Sequence, residues 1–186
     1  QVDVTIISPI DYMLYTPLLP DVAGGVVDAR FVTIPLAGTL RGVRAIRGRV
    51  DKADLAGRTL TYTDPEDRTH EISWDRLVLT PGSVTRLFDI PGLDTHARGL
   101  KSTAEALYLR DHVLEQFELA SIDDDPAVAA GRRTIVVVGA SYSGTELIAQ
   151  LRALADAAAA QMNFDPATVR FLLLDLAKQV MPEVGD

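Results

Sequence analysis

An apolar, β-branched stretch that runs into glycines and then into a helical pattern constrains this chain more than any other feature. In TIVVVGASYSGTELIAQL, residues 134–151, Thr134 to Val138 read as a buried strand. Gly139 and Gly144 occupy the first and last glycine places of a GxGxxG turn. The first lets the strand turn sharply into a helix, and the last lets that helix pack closely on the sheet. Leu147, Leu151, Leu154 and Ala158 then recur on one helical face, and ATVRFLLLD, residues 167–175, closes the unit as a second buried strand. Strand, glycine turn, helix and strand make a βαβ unit, which requires a parallel sheet and a right-handed crossover. The predicted fold class is therefore α/β and Rossmann-like.

Such a turn offers backbone amides and the positive end of a helix to a pyrophosphate. Ser141 stands where the middle glycine would allow close approach. Its hydroxyl either donates to a phosphate oxygen or its bulk displaces the phosphate, and both readings stay open. Asp175 ends the second strand, where a carboxylate accepts from both ribose hydroxyls of an adenosine and repels a 2'-phosphate. It lies farther from the glycines than the usual spacing of about 20 residues, with the long helix and AAAAQMNFDP taking up the excess. Glu146 reads as a residue of the first helical turn, serving either helix-end stabilisation or a cofactor contact.

Two rival readings apply to the same stretch. A tight βα turn in a packed sheet needs no ligand. A serine nucleophile elbow needs small residues two places either side of the serine. Ser141 has Gly139 before it but Ser143 after it, and His70, His96 and His112 all precede it, whereas the α/β-hydrolase order places histidine last. No histidine forms an HExxH pattern.

The rest of the chain supplies the frame. VDVTIIS (2–8) reads as a strand, and DYMLYTPLLPDVAGG (11–25), with Pro17 and Pro20, as a loop holding at most a short helix. A second short helix is expected after Pro35. VRAIRGRV (43–50), RTLTYT (58–63) and THEIS (69–73) read as three strands of an antiparallel meander, with DPEDR (64–68) as the turn between the last two. WDRLVLTPGS (74–83) predicts a strand over Leu77–Thr80 that stops at the Pro-Gly pair. STAE places a capping box at Ser102 and Glu105, opening a helix whose face is Leu109, Val113, Phe117 and Ala120. IDDDPAVAAGRR (122–133) reads as a linker, largely solvated.

Composition narrows the partners. A formal charge of -8 and a pI near 4.8 leave no basic patch for nucleic acid and no cationic run for anionic lipid. Cysteine is absent, which excludes a thiolate nucleophile, a CxxC redox pair, a disulfide framework and a cysteine metal site. No apolar run approaches the roughly 18 residues of a membrane helix. The sequence opens at Gln1 directly on a strand-like segment, the expectation for a chain cut from something longer.

Taken together, six stretches resemble one family, the type II NADH dehydrogenases and their relatives among FAD-dependent pyridine nucleotide oxidoreductases. VTIISPIDYMLYTPLLPDVAGG is similar to that family's second flavin-domain strand and the "PLL" segment after it. GRV (48–50), WDRLVLTPGS and IPG (90–92) fall in family order, as does LKSTAEALYLRDHVLEQFELA, which resembles the helix linking the flavin and nicotinamide domains. TIVVVGASYSGTELIAQL and LLLDLAKQVMPE stand where the family has VVVGGGxTGVELAGxL and LVEAxxRLLP.

The resemblance implies two dinucleotide-binding domains: a flavin-type domain over 1–121 with the meander at about 43–73, a linker at 122–132, and a nicotinamide-type βαβ unit over 133–186. It implies an enzyme that accepts hydride from NADH onto FAD and passes electrons to an acceptor, commonly a quinone. It also implies a homo-oligomer, cytoplasmic or peripheral on the inner face of the cell membrane. Because the cofactors carry the electrons, no catalytic side chain is assigned.

On the flavin side, Val50 matches the position whose backbone meets adenine. Thr80, Pro81 and Gly82 match the family's ATG turn, from which Thr80 and Pro81 depart, and Pro17 lies in the segment near the flavin. On the nicotinamide side, Gly139, Ser141 and Gly144 match the loop, Glu146 the glutamate near the nicotinamide, and Asp175 the ribose acid. The family's first strand and its own GxGxxG belong before Val2, and Ser8 stands where an acid ends the second strand. The sequence thus reads as part of a larger flavoprotein. The alternative is a nucleotide-binding or interaction module without activity, for which Ser8, Pro81 and Ser141 speak.

Overall fold

The computed structural model describes residues 2–85 and 87–184. Gln1, Arg86, Gly185 and Asp186 lie outside the described residues, and with them the outer ends of both expected domains. Nine strands are described: β1 (Val4–Ser8), β2 (Tyr12–Leu14), β3 (Thr33–Pro35), β4 (Val43–Arg47), β5 (Arg49–Asp54), β6 (Thr59–Thr63), β7 (Thr69–Ser73), β8 (Thr134–Val138) and β9 (Arg170–Leu174). The α-helices are α1 (Leu19–Ala23), α2 (Leu36–Thr39), α3 (Leu93–His96), α4 (Thr103–Ile122), α5 (Pro126–Arg132) and α6 (Tyr142–Met162). The contacts divide the chain into one unit of Gln1–Leu14 with Thr33–Val84 and a second of Tyr15–Val32 with Thr85–Asp186.

In the first unit β1 pairs in parallel with β4, β2 pairs antiparallel with β3, and β5, β6 and β7 form the antiparallel meander. VRAIRGRV is two strands rather than one. The break is Gly48, whose amide donates to the Ser8 carbonyl at 2.9 Å. A Cβ there would stand 2.7 Å from Tyr62 Cδ2 and 3.0 Å from the Thr63 carbonyl oxygen, so the chain changes sheets where a side chain has no room.

The turn between β6 and β7 is organised by Asp64. Its carboxylate meets His70 Nε2 at 2.8 Å and accepts from the Glu66 amide at 2.9 Å, and the Arg68 amide and Nε donate to it at 3.0 and 2.9 Å. His70 stacks on Tyr62 with ring centroids 5.0 Å apart, which gives this histidine a structural part in the hairpin. The His70 bond first, and then the backbone and side-chain bonds to Arg68 and Glu66, hold the Asp64 carboxyl well below the usual carboxylate range. A depressed folded-state pKa stabilises above the unfolded value of about 3.9 and is lost as pH falls below it. The expected result is a hairpin unit that loses stability progressively as pH falls below about 4. Thermal unfolding by near-ultraviolet circular dichroism at pH 7 and pH 3 measures this loss, and Asp64→Asn should shrink the difference.

One expected strand does not form. Leu77–Thr80 has no regular structure, and Val78 and Leu79 are 82% and 64% exposed. An apolar, β-branched run becomes a strand only by finding a ladder, because its amides and carbonyls need partners. Sequence reasoning also missed β2, which lies inside the segment read as loop.

The second unit holds the largest core. On α4, Val113, Phe117 and Ala120 are buried as the helical spacing predicts. On α6, Leu151, Ala155 and Ala158 face them, joined by Val169 and edged by Leu147, Leu154, Phe164 and Phe171. The capping box forms with one difference. The Glu105 amide donates to Ser102 Oγ at 3.2 Å, but the Glu105 carboxylate takes the amide of Lys101 at 2.8 Å, one residue ahead of the cap. The expected linker contains α5, whose start is capped by the Asp125 carboxylate accepting from the Ala127 amide. Arg132, its last residue, reaches back to Asp123 and Gln116. The expected βαβ unit is present, with β8 and β9 parallel and in register from Thr134↔Arg170 to Val138↔Leu174. Among the described residues no helix is long and apolar enough to cross a membrane.

Candidate functional site

The site grows from the end of β8. Gly139 takes φ of 105°, a conformation open to glycine, and its amide donates to the Leu174 carbonyl at 2.7 Å. Ser141 is the residue before α6, with extended backbone at φ -73° and ψ -175°, and its carbonyl accepts the Thr145 amide at 3.0 Å. Gly144 lies against the turn so closely that a Cβ would fall on the Gly139 carbonyl oxygen. The last glycine of the motif thus performs the packing task expected of it. The first amides of α6 have no acceptor within the helix, and with the macrodipole they suit an anion.

Ala140, between the glycines, is fixed from every side. Its amide donates to the Asp175 carboxylate at 2.5 Å, its carbonyl accepts from the Met181 amide at 2.7 Å, and Thr145 Oγ1 donates to the same carbonyl at 3.1 Å. The second Asp175 oxygen accepts from the Ala177 amide at 2.7 Å. The Ala140 amide first, and then that of Ala177, lower the carboxyl's pKa, so Asp175 is an anion at neutral pH. Each carboxylate oxygen has two lone pairs, so the same group can brace the loop and still accept from a hydroxyl. Sequence reasoning placed Asp175 beside the loop; its bond to the loop backbone, Thr145 and the Met181 amide were not in that reading.

Within the same unit a cleft of about 320 Å³ is lined by Thr16, Pro17, Lys101, Tyr142, Ser143 and Glu146, with Leu100 beside them. The structure therefore brings Pro17, from the aromatic-rich segment, to Glu146 and the start of α6. The helix begins at Tyr142, so Glu146 is its fifth residue. That corrects the expected first-turn position and weakens the helix-end role, because the macrodipole falls off within one turn. The glutamate borders the cleft instead. Thr16, Leu100, Lys101 and Tyr142 had no signal of their own in the sequence, since only the fold brings them together.

The remaining expected contacts belong to the first unit. Val50 lies on β5 and is 40% exposed. Thr80, Pro81 and Gly82 lie in the segment without regular structure, with Gly82 at φ 74°. Val50 and residues 80–82 share no strand or helix. At the end of β1, Ser8 Oγ accepts the Ile10 amide at 3.3 Å, a neutral contact where a ribose would want a carboxylate.

A model of the pyridine nucleotide-disulphide oxidoreductase family matches residues 1–186, the whole chain. The chain belongs to that family. It is 34% identical, over its entire length, to the type II NADH:quinone oxidoreductase NdhA of Mycobacterium tuberculosis, of which it covers 40%. Over 80% of its length it is 32% identical to the external alternative NAD(P)H-ubiquinone oxidoreductase B4 of Arabidopsis thaliana mitochondria, covering 27% of that protein. The chain thus spans less than half the length of these relatives. Among solved structures, NDH2 of Plasmodium falciparum in complex with RYL-552 superimposes with a TM-score of 0.89 over 97% of this chain and 38% of that one. At 22% identity this likeness establishes the α/β, Rossmann-like fold that the family shares.

Proposed function

We propose that this chain forms the NADH-binding side of a flavin-dependent NADH:quinone oxidoreductase, and that the cleft between Pro17 and Glu146 is where nicotinamide meets flavin. The observation that carries the reading is this cleft, opening at the N-terminal end of α6 beside the glycine turn. The names of the relatives supply the donor and acceptor classes. In this reading residues 133–186 are the nicotinamide-type portion and 1–121 the flavin-type portion.

The residues suit a dinucleotide on the nicotinamide side. The α6 amides meet the pyrophosphate, Gly139 and Gly144 form the turn that presents them, and Ser141 adds a hydroxyl at the same turn. Asp175 accepts from the adenosine ribose and, as an anion, disfavours a 2'-phosphate. Glu146 and Pro17 border the nicotinamide and keep it against its acceptor. Bound flavin would supply the two-electron acceptor for the hydride and the route to quinone. Thr16 and Pro17 would border that group, with Val50 at its adenine and Thr80, Pro81 and Gly82 at its turn. A homo-oligomer peripheral on the inner face of the membrane accompanies this proposal.

Asp175→Asn tests the assignment. Exchanging a charge-assisted acceptor for a neutral amide should weaken NADH about tenfold by titration calorimetry, narrow the preference for NADH over NADPH, and leave flavin content unchanged. Equal NADH affinity in the two proteins would remove Asp175 from the site. The reading as a nucleotide-binding module without activity draws on Ser8 and the unformed 80–82 turn. Nucleotide binding without NADH oxidation in the flavin-supplied protein would favour it.

A further inference from the structure

Residues from two segments line the cleft, and a polar bond joins those segments across 129 residues of sequence. Gln150 Nε2 donates to the Asp21 carboxylate at 2.8 Å. Gln150 lies on α6 four residues after Glu146, so the two share a face one helical turn apart. Asp21 lies on α1, which continues directly from the 3₁₀ turn Thr16–Leu18 that holds Pro17. The Leu19 amide donates to the Thr16 carbonyl, joining that turn to the helix.

The rest of the contact is largely apolar. The buried side chains of α1 are Leu19, Pro20, Val22 and Ala23, and apolar packing is non-directional. The Gln150–Asp21 bond adds a directional contact to that packing. Gly24 brings the backbones together, since a Cβ there would lie 2.8 Å from Gln150 Cβ. Asp21 is itself held, its carbonyl accepting the Val26 amide at 2.9 Å and the Val27 amide at 3.3 Å. An ionised carboxylate only accepts, so the Gln150 amide must present its nitrogen and the bond has one orientation.

From this geometry we infer that Asp21 and Gln150 are a positioning pair that sets the alignment of the Pro17 turn against Glu146, and so the width of the cleft. The inference rests on the proposed function for its catalytic consequence. Hydride transfer is sensitive to placement, and a shift of about 1 Å is enough to cost as much as a hundredfold in rate.

The chain contains no cysteine, so Tyr15→Cys, at a half-exposed position beside the turn, and Ala153→Cys, exposed on α6, accept two spin labels without competition. Pulsed dipolar spectroscopy then reads the turn-to-helix distance. Gln150→Glu sets two carboxylates against each other and should shift or broaden that distance. Adding Asp21→Asn restores a donor and should bring the distribution back. Gln150→Leu, which deletes the bond without adding charge, should move it in the same sense as Gln150→Glu. In the flavin-loaded protein Gln150→Glu should lower kcat for NADH oxidation about tenfold with KM within about twofold, and the double variant should recover it. A distance unchanged in both single variants overturns the positioning role. A distance that moves and is restored while NADH oxidation never changes overturns the assignment of the cleft to hydride transfer and leaves the positioning pair standing.

Discussion

Gly144→Ala should cost about 3 kcal/mol of stability and abolish NADH binding. The added Cβ would coincide with the Gly139 carbonyl oxygen and stand 2.9 Å from its carbonyl carbon, and both are backbone atoms. Neither can swing away as a side-chain tip would, so α6 must lift from the turn. That movement carries away the helix-end amides, and it strains the Ala140 peptide held by Asp175, Met181 and Thr145. Gly131→Ala is the matched control. It lies within α5 with nothing near its Cβ position, and alanine there should stabilise by roughly 0.5–1 kcal/mol. Urea unfolding and NADH titration of both variants measure the contrast. A Gly144→Ala protein that binds NADH normally would show that the turn does not hold the phosphates.

Phe117→Ala should destabilise the protein by about 3–5 kcal/mol. Phe117 is fully buried where α4 meets α6, packed among Val113, Leu151, Ala155, Ala158 and Val169, and its ring lies 5.4 Å from that of Phe164. Ala155 and Ala158 on α6 are too small to refill the space, so a cavity persists. Urea unfolding should give a lower midpoint with an unchanged slope. A loss under about 1 kcal/mol would mean that α4 collapses onto α6 without strain.

Much of the candidate site was legible in the sequence because its signals are local. The glycines and the β-branched run of β8 announce the turn, and the apolar spacing of α6 announces the face it buries. Ser102 and Glu105 announced α4, while Asp64 and Pro65 marked the hairpin turn. The misreadings have one physical source. VRAIRGRV has the continuous pattern of a single strand, whereas the steric limit at Gly48 comes from Tyr62 and Thr63 on another strand. Leu77–Thr80 has the composition of a strand, but composition cannot supply the ladder partner that a strand needs. Glu146 falls one residue past the expected first turn, because a helix start is uncertain by a residue or two from sequence.

The sequence by itself determined the βαβ order, the glycine turn and the buried face of each long helix, because each rests on residue type and short-range periodicity. Only the tertiary structure decided that Asp175 braces Ala140 and that Pro17 shares a cleft with Glu146. It alone showed Gln150 reaching Asp21. Such contacts join residues 35 to 129 positions apart, and only the folded chain brings them within reach, which no local pattern encodes.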